Sequence, residues 1–131
     1  VKTRVFNLEM QMGMGSGGGN PVSINGKVMD MARIDEVVNL GDTEIWELRN
    51  VSMMPHPFHM HDVQFQILDR NGRAPAATEH GRKDVVMVNT GETVRIIMRF
   101  EDYADANAPF MYHCHILEHE DAGMMGQFVV V

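Results

Sequence analysis

Between Glu92 and Phe100 the chain alternates without a break, setting Val94, Ile96, Met98 and Phe100 on one face. A period of two belongs to an extended strand packed on one side and excludes a helix over the same residues. The same period separates Val63, Phe65 and Ile67 from Gln64, Gln66 and Leu68, and Ile45, Glu47 and Arg49 from Glu44, Trp46, Leu48 and Asn50. Further strands are predicted over residues 1–9, 34–40, 83–88, 109–115 and 126–131. Turn chemistry punctuates them at Asn25-Gly26, Gly41-Asp42, Asp69-Arg70-Asn71-Gly72 and Asn89-Thr90-Gly91. Residues 73–82 and 101–108 read as surface loops, and the glycines at 13, 15, 17, 18 and 19 as another. No helical period persists anywhere. Seven or eight short strands joined in this way predict an antiparallel β-sandwich.

At 131 residues, with no interdomain linker and no internal repeat, the chain reads as one domain, 1–131. A chain of this size buries about two-thirds of its unfolded surface. The net charge of -7 argues against a nucleic-acid or anionic-membrane partner. No apolar run is long enough to span a bilayer. The chain opens at Val1 without an initiator methionine or a signal-peptide pattern, as a mature protein, a trimmed chain or a fragment does. One cysteine permits no internal disulfide and says little about compartment. The 13 methionines read mainly as soft core filler. Met10, Met12 and Met14, at the edge of the glycine run, could be a greasy loop margin or a soft-metal contact.

Chemistry concentrates in two places. Six of the seven histidines fall in His56-Pro57-Phe58-His59-Met60-His61 and in His113-Cys114-His115-Ile116-Leu117-Glu118-His119, which runs on through Glu120 to Met124. Only His80 stands apart, and it reads as an ordinary surface or core histidine. Parity sorts the rest. On a strand, Cys114 faces one way while His113 and His115 face the other. His59 and His61 share a face, and His56 has the opposite parity. Spacing therefore predicts one centre from His56, Cys114, His119 and Met124, and another from His59, His61, His113 and His115. Pro57 helps define the bend over which parity changes.

Ligand type selects the metal. Two imidazoles, a thiolate and a weak thioether match a blue-copper electron-transfer site. Structural zinc favours four strong ligands, often paired cysteines, and the chain has no Cys-x-x-Cys. A cluster of imidazoles without carboxylate suits copper better than calcium or magnesium.

The motifs His56-x-x-His59-x-His61 and His113-Cys114-His115-x-x-x-His119-x-x-x-x-Met124 resemble the C-terminal cupredoxin domain of a multicopper oxidase, and the resemblance covers nearly the whole chain. It implies an all-β, cupredoxin-like Greek-key sandwich. It assigns type 1 copper to His56, Cys114, His119 and Met124, type 2 copper to His59, and the type 3 pair to His61, His113 and His115. Similar enzymes, laccases and periplasmic metallo-oxidases, take single electrons at type 1 and pass them through the Cys-His links to a trinuclear cluster that reduces O2 to water. The resemblance also makes Glu120 a proton donor to the cluster, where the plainer reading is a solvated turn carboxylate. It gives Asp84 a part in orienting a ligand. Met53 and Met54 could line an approach for a cuprous donor or simply pack. It implies a periplasmic or extracellular location.

One departure matters. A full oxidase brings four more cluster histidines from an N-terminal domain, and this chain has no further His-x-His pairs. The expectation is half a cluster, an N-terminal cupredoxin partner domain, O2 and a small reductant as further partners, and little oxidase turnover by the chain alone. A stand-alone cupredoxin carrier is the main alternative, but it has no use for His59, His61, His113 and His115. A cupin-like or zinc-binding β protein has no use for Cys114 and Met124.

Overall fold

The computed structural model describes residues 2–10, 22–25, 33–52, 54–61, 63–79, 81–101, 109–114 and 125–131. Ten strands are present among them: β1 Lys2–Met10, β2 Val22–Ile24, β3 Glu36–Val38, β4 Thr43–Asn50, β5 His56–Met60, β6 Gln66–Arg70, β7 Val85–Val88, β8 Thr93–Arg99, β9 Phe110–Cys114 and β10 Met125–Val130. They form two five-stranded sheets, ordered β2-β1-β4-β8-β6 and β3-β10-β9-β5-β7. The alternating stretches fold as their period requires. In β4, Glu44, Trp46, Leu48 and Asn50 turn inward, and in β8 Val94, Ile96 and Met98 do the same.

The sandwich is not wholly antiparallel. β1 runs parallel to β4, and β3 runs parallel to β10. Parallel neighbours need a connection that leaves the sheet and returns. The chain does this by passing through β3, in the opposite sheet, before β4 comes back beside β1. Local alternation carries no record of such a crossing.

Several boundaries also move. The stretch predicted over 34–40 is strand only from Glu36 to Val38. β7 begins at Val85 rather than at residue 83, although Lys83 still bridges Phe65. Asp69 and Arg70 belong to β6, so the turn narrows to Asn71 and Gly72, at φ 51° and 79°. Both central residues of a tight two-residue hairpin need positive φ, which asparagine and glycine tolerate best. Arg70 and Arg73 close it by exchanging backbone hydrogen bonds of 2.8 and 2.9 Å.

The core lies between the sheets. Phe6 of β1 meets Trp46 of β4 at 4.5 Å between ring centroids and Tyr112 of β9 at 5.1 Å. Trp46 in turn meets Tyr112 at 5.6 Å and Phe128 of β10 at 5.8 Å, both edge-on. Such pairs add about 0.5–1.5 kcal/mol each beyond the area they bury. One ion network also spans the layers. The buried Glu44 carboxylate accepts from Arg4 Nε at 2.7 Å and Trp46 Nε1 at 2.9 Å, while Arg4 Nη1 reaches Glu36 on the other sheet at 2.7 Å.

Candidate metal centres

β5 lies between β7 and β9, and its register with β9 fixes the site. Phe58 pairs with Cys114, His59 with His113 and Met60 with Tyr112. Beyond the strand the ladder continues, with the His61 N–H donating to the Met111 carbonyl at 2.9 Å. Facing residues on paired strands point the same way. His56, Phe58, Met60, Tyr112 and Cys114 therefore enter the core, while His59 and His113 stand on the opposite side.

Inside, His56 and Cys114 are almost fully buried, and His56 Nδ1 lies 3.4 Å from Cys114 Sγ. The other ring nitrogen, Nε2, lies 2.7 Å from Ser52 Oγ. Next to this pocket burial pushes the Tyr112 phenol well above its ordinary value of 10.0, so it stays protonated. Outside, His59, His61 and His113 offer ring nitrogens that all lie within 4.8 Å of one another. His61 Nε2 and His113 Nε2 are 3.2 Å apart. His113 Nδ1 lies 3.1 Å from the Cys114 carbonyl, which can only accept. His113 thus donates from Nδ1, and Nε2 is the ring nitrogen that faces His61.

Parity thus places the four described histidines and the cysteine on two faces of one strand pair. His115, His119, Glu120 and Met124 lie outside the described residues, as do Met12, Met14, Met53 and His80. Asp84 is exposed and meets β5 through its backbone, its carbonyl accepting from the Met60 N–H at 3.1 Å. Sequence reasoning missed Ser52 and Asn50. The inward parity of Asn50 beside Trp46 and Leu48 was its one available signal: an amide on an apolar face needs partners.

The donor chemistry fits copper. A buried thiol beside an imidazole supplies the soft and intermediate ligands that copper prefers, and among the described residues the outer face gathers three imidazoles with no carboxylate in the cluster. A β-sandwich with this pair inside one strand pair and an imidazole cluster on its back is a cupredoxin of the oxidase type rather than a simple carrier.

The comparisons narrow the class. The multicopper oxidase family model matches residues 4–131. A multicopper oxidase of Staphylococcus aureus is 43% identical over 113 residues, covering 83% of this chain and 24% of that protein. A Haloferax volcanii laccase is 44% identical over 111 residues, covering 82% of this chain and 19% of its own length. Among solved structures, a laccase-like multicopper oxidase from Ochrobactrum sp. superposes with a TM-score of 0.85 at 42% identity, over 100% of this chain and 31% of that one. The chain belongs to the multicopper oxidase family, whose cofactor is copper. It spans 24% of the length of the Staphylococcus aureus relative.

Proposed function

We propose that this chain is the cupredoxin domain of a multicopper oxidase that carries the electron-accepting copper and half of the oxygen-reducing cluster. The observation that carries this is the 3.4 Å approach of His56 Nδ1 to Cys114 Sγ, with His113, the neighbour of Cys114, already in the imidazole cluster behind it. His56, Cys114, His119 and Met124 would hold type 1 copper. His59 would hold type 2 copper, and His61, His113 and His115 the type 3 pair. Bound copper supplies one-electron chemistry at the first site and reduction of O2 to water at the second.

The chain's own residues provide the wiring. Cys114 and His113 are adjacent, so one peptide unit joins the two pockets. The hydrogen bond from His113 Nδ1 to the Cys114 carbonyl closes a second link that bypasses this unit through the Cys114 carbonyl. His115 makes the symmetrical connection by its place in the sequence. Burial of His56 and Cys114 keeps water from the sulfur, and Tyr112 stays neutral beside them. Glu120, directly after His119, is the carboxyl we assign to proton delivery. The four remaining cluster histidines come from an N-terminal cupredoxin domain of the parent protein.

The reductant is a small donor, a phenol, an aromatic amine or a cuprous ion, reaching the site from the periplasmic or extracellular side. The Campylobacter jejuni relative, 35% identical with a TM-score of 0.84, is described as a metallo-oxidase. No described helix is long and apolar enough to cross a membrane. Loading with cupric ion tests the ligand assignment. The expected result is an intense visible copper–thiolate band that Cys114→Ser abolishes. Copper or zinc uptake without that band would overturn the assignment.

A further inference from the structure

Ser52 sits four residues before His56 and is 5% exposed. Its hydroxyl oxygen has three polar neighbours: His56 Nε2 at 2.7 Å, Asn50 Oδ1 at 2.6 Å and the Met54 carbonyl at 3.0 Å. One hydroxyl has one proton, so the direction of each bond is decided by its neighbours.

The Asn50 amide settles the direction. Its Nδ2 lies 2.8 Å from the Met54 carbonyl and 3.0 Å from the Val88 carbonyl, and carbonyls only accept. Its Oδ1 lies 2.9 Å from the Ser52 backbone N–H, which only donates. All three contacts agree on one amide orientation, with Oδ1 the acceptor. Two oxygens 2.6 Å apart attract only with a proton between them. The Ser52 O–H therefore donates to Asn50 Oδ1, the shorter of its two contacts with oxygens that only accept, and Ser52 Oγ presents a lone pair to His56. The proton of that bond must come from His56 Nε2. Nδ1 then carries no proton and turns its lone pair towards the pocket, 3.4 Å from the sulfur of Cys114.

We propose that Asn50 and Ser52 form a positioning relay that fixes the tautomer and the ring plane of His56, presenting Nδ1 as a metal donor beside Cys114. This rests on the reading of His56 and Cys114 as copper ligands. The relay is anchored in both sheets. Asn50 ends β4 in one and bonds the Val88 carbonyl of β7 in the other, so the donor is set by the sandwich as a whole. Metal-bound imidazoles characteristically donate their second N–H to such a partner, and losing the partner costs about 10–100-fold in metal affinity or activity. Ser52 needs no contact with copper or substrate to act in this way.

The test uses the copper-loaded protein that carries this chain, with Ser52→Ala, Ser52→Thr and Ser52→Val. Each variant is scored by copper retention against a chelator, by the copper–thiolate band and by the cupric electron-spin spectrum, and the melting of the metal-free form reports folding. Ser52→Ala and Ser52→Val are expected to weaken copper retention about 10–100-fold, with a shifted band and an altered hyperfine splitting. Ser52→Thr, which keeps the hydroxyl, restores all three. Threonine and valine have nearly the same volume, so their comparison isolates the hydroxyl even where alanine fails to fold. Wild-type spectra and retention in Ser52→Ala, or threonine and valine behaving alike, would overturn the relay. A wild-type protein without any copper–thiolate band overturns the copper-site reading instead.

Discussion

Gly126 shows how tightly single positions are held behind the metal pocket. It pairs with Tyr112 across β9 and β10. A Cβ built there would come within 2.9 Å of Tyr112 Cε1 and closer still to the phenol oxygen. The ring cannot retreat, because Phe6 and Trp46 pack on it at centroid distances of 5.1 and 5.6 Å. Only glycine lets the tyrosine lie flat over its neighbouring strand. Gly126→Ala is expected to cost about 1–3 kcal/mol of stability, as overpacking of a close-packed core does. Urea unfolding of the metal-free protein measures it, and an unchanged midpoint would show that the ring has room to move. Tyr112 adjoins His113 and precedes Cys114 by two residues, so the strain is also expected to disturb the copper–thiolate band.

The hairpin between β6 and its return is clipped by one side chain. Arg70 Nε and Nη2 reach the Glu79 carboxylate at 3.0 and 2.5 Å, and Nη1 reaches Glu92 and the Met87 carbonyl, both at 2.8 Å. The clip ties β6, the short 3-10 turn Ala77–Glu79, β7 and the turn before β8. The hydrogen bond from Arg70 holds the Glu79 carboxyl below its ordinary value of 4.5. A lowered carboxylate value adds stability that is full above 4.5 and is lost as pH falls through the value held in the fold. Both side chains are partly exposed, so solvent screening limits the gain to about 1 kcal/mol or less. Glu79→Gln is therefore expected to lower the unfolding midpoint slightly at neutral pH and not at all in acid. A deficit that persisted unchanged in acid would mean that the clip acts through packing rather than charge.

The described part of the molecule keeps its candidate ligands on two faces of one strand pair, and the proposed function leaves half of the outer cluster to another domain. His59, His61 and His113 form an open set of donors rather than a closed shell, since a three-copper cluster needs more imidazoles than these strands carry. The 131-residue chain is thus expected to take up copper at Cys114 but to consume no O2 beyond background with a phenolic or cuprous donor. A longer protein that supplies the proposed N-terminal histidines is expected to turn over. Oxygen-electrode measurements on the two compare them directly, and robust uptake by the chain alone would refute the shared-cluster reading.

The period of two and the spacing of the two histidine groups were enough to derive strands at β4, β8 and β9, the opposite facing of Cys114 and His113 and the separation of His56 from His59, while which face is inward came from the fold. These depend only on which way successive side chains point. The register of β5 on β9 was not legible, because pairing is fixed by contacts far apart in the chain, as between Phe58 and Cys114. Nor were the parallel β1–β4 and β3–β10 pairs, which arise from crossings between sheets. Least visible was the Asn50–Ser52–His56 chain. Residue order puts the serine near the histidine, but the Asn50 amide that orients it is held by the Ser52 N–H, the Met54 carbonyl and the Val88 carbonyl, the last brought in by folding from the opposite sheet. Ligand identity is a local property of the chain, whereas the tautomer and aim of a ligand belong to the packed sandwich.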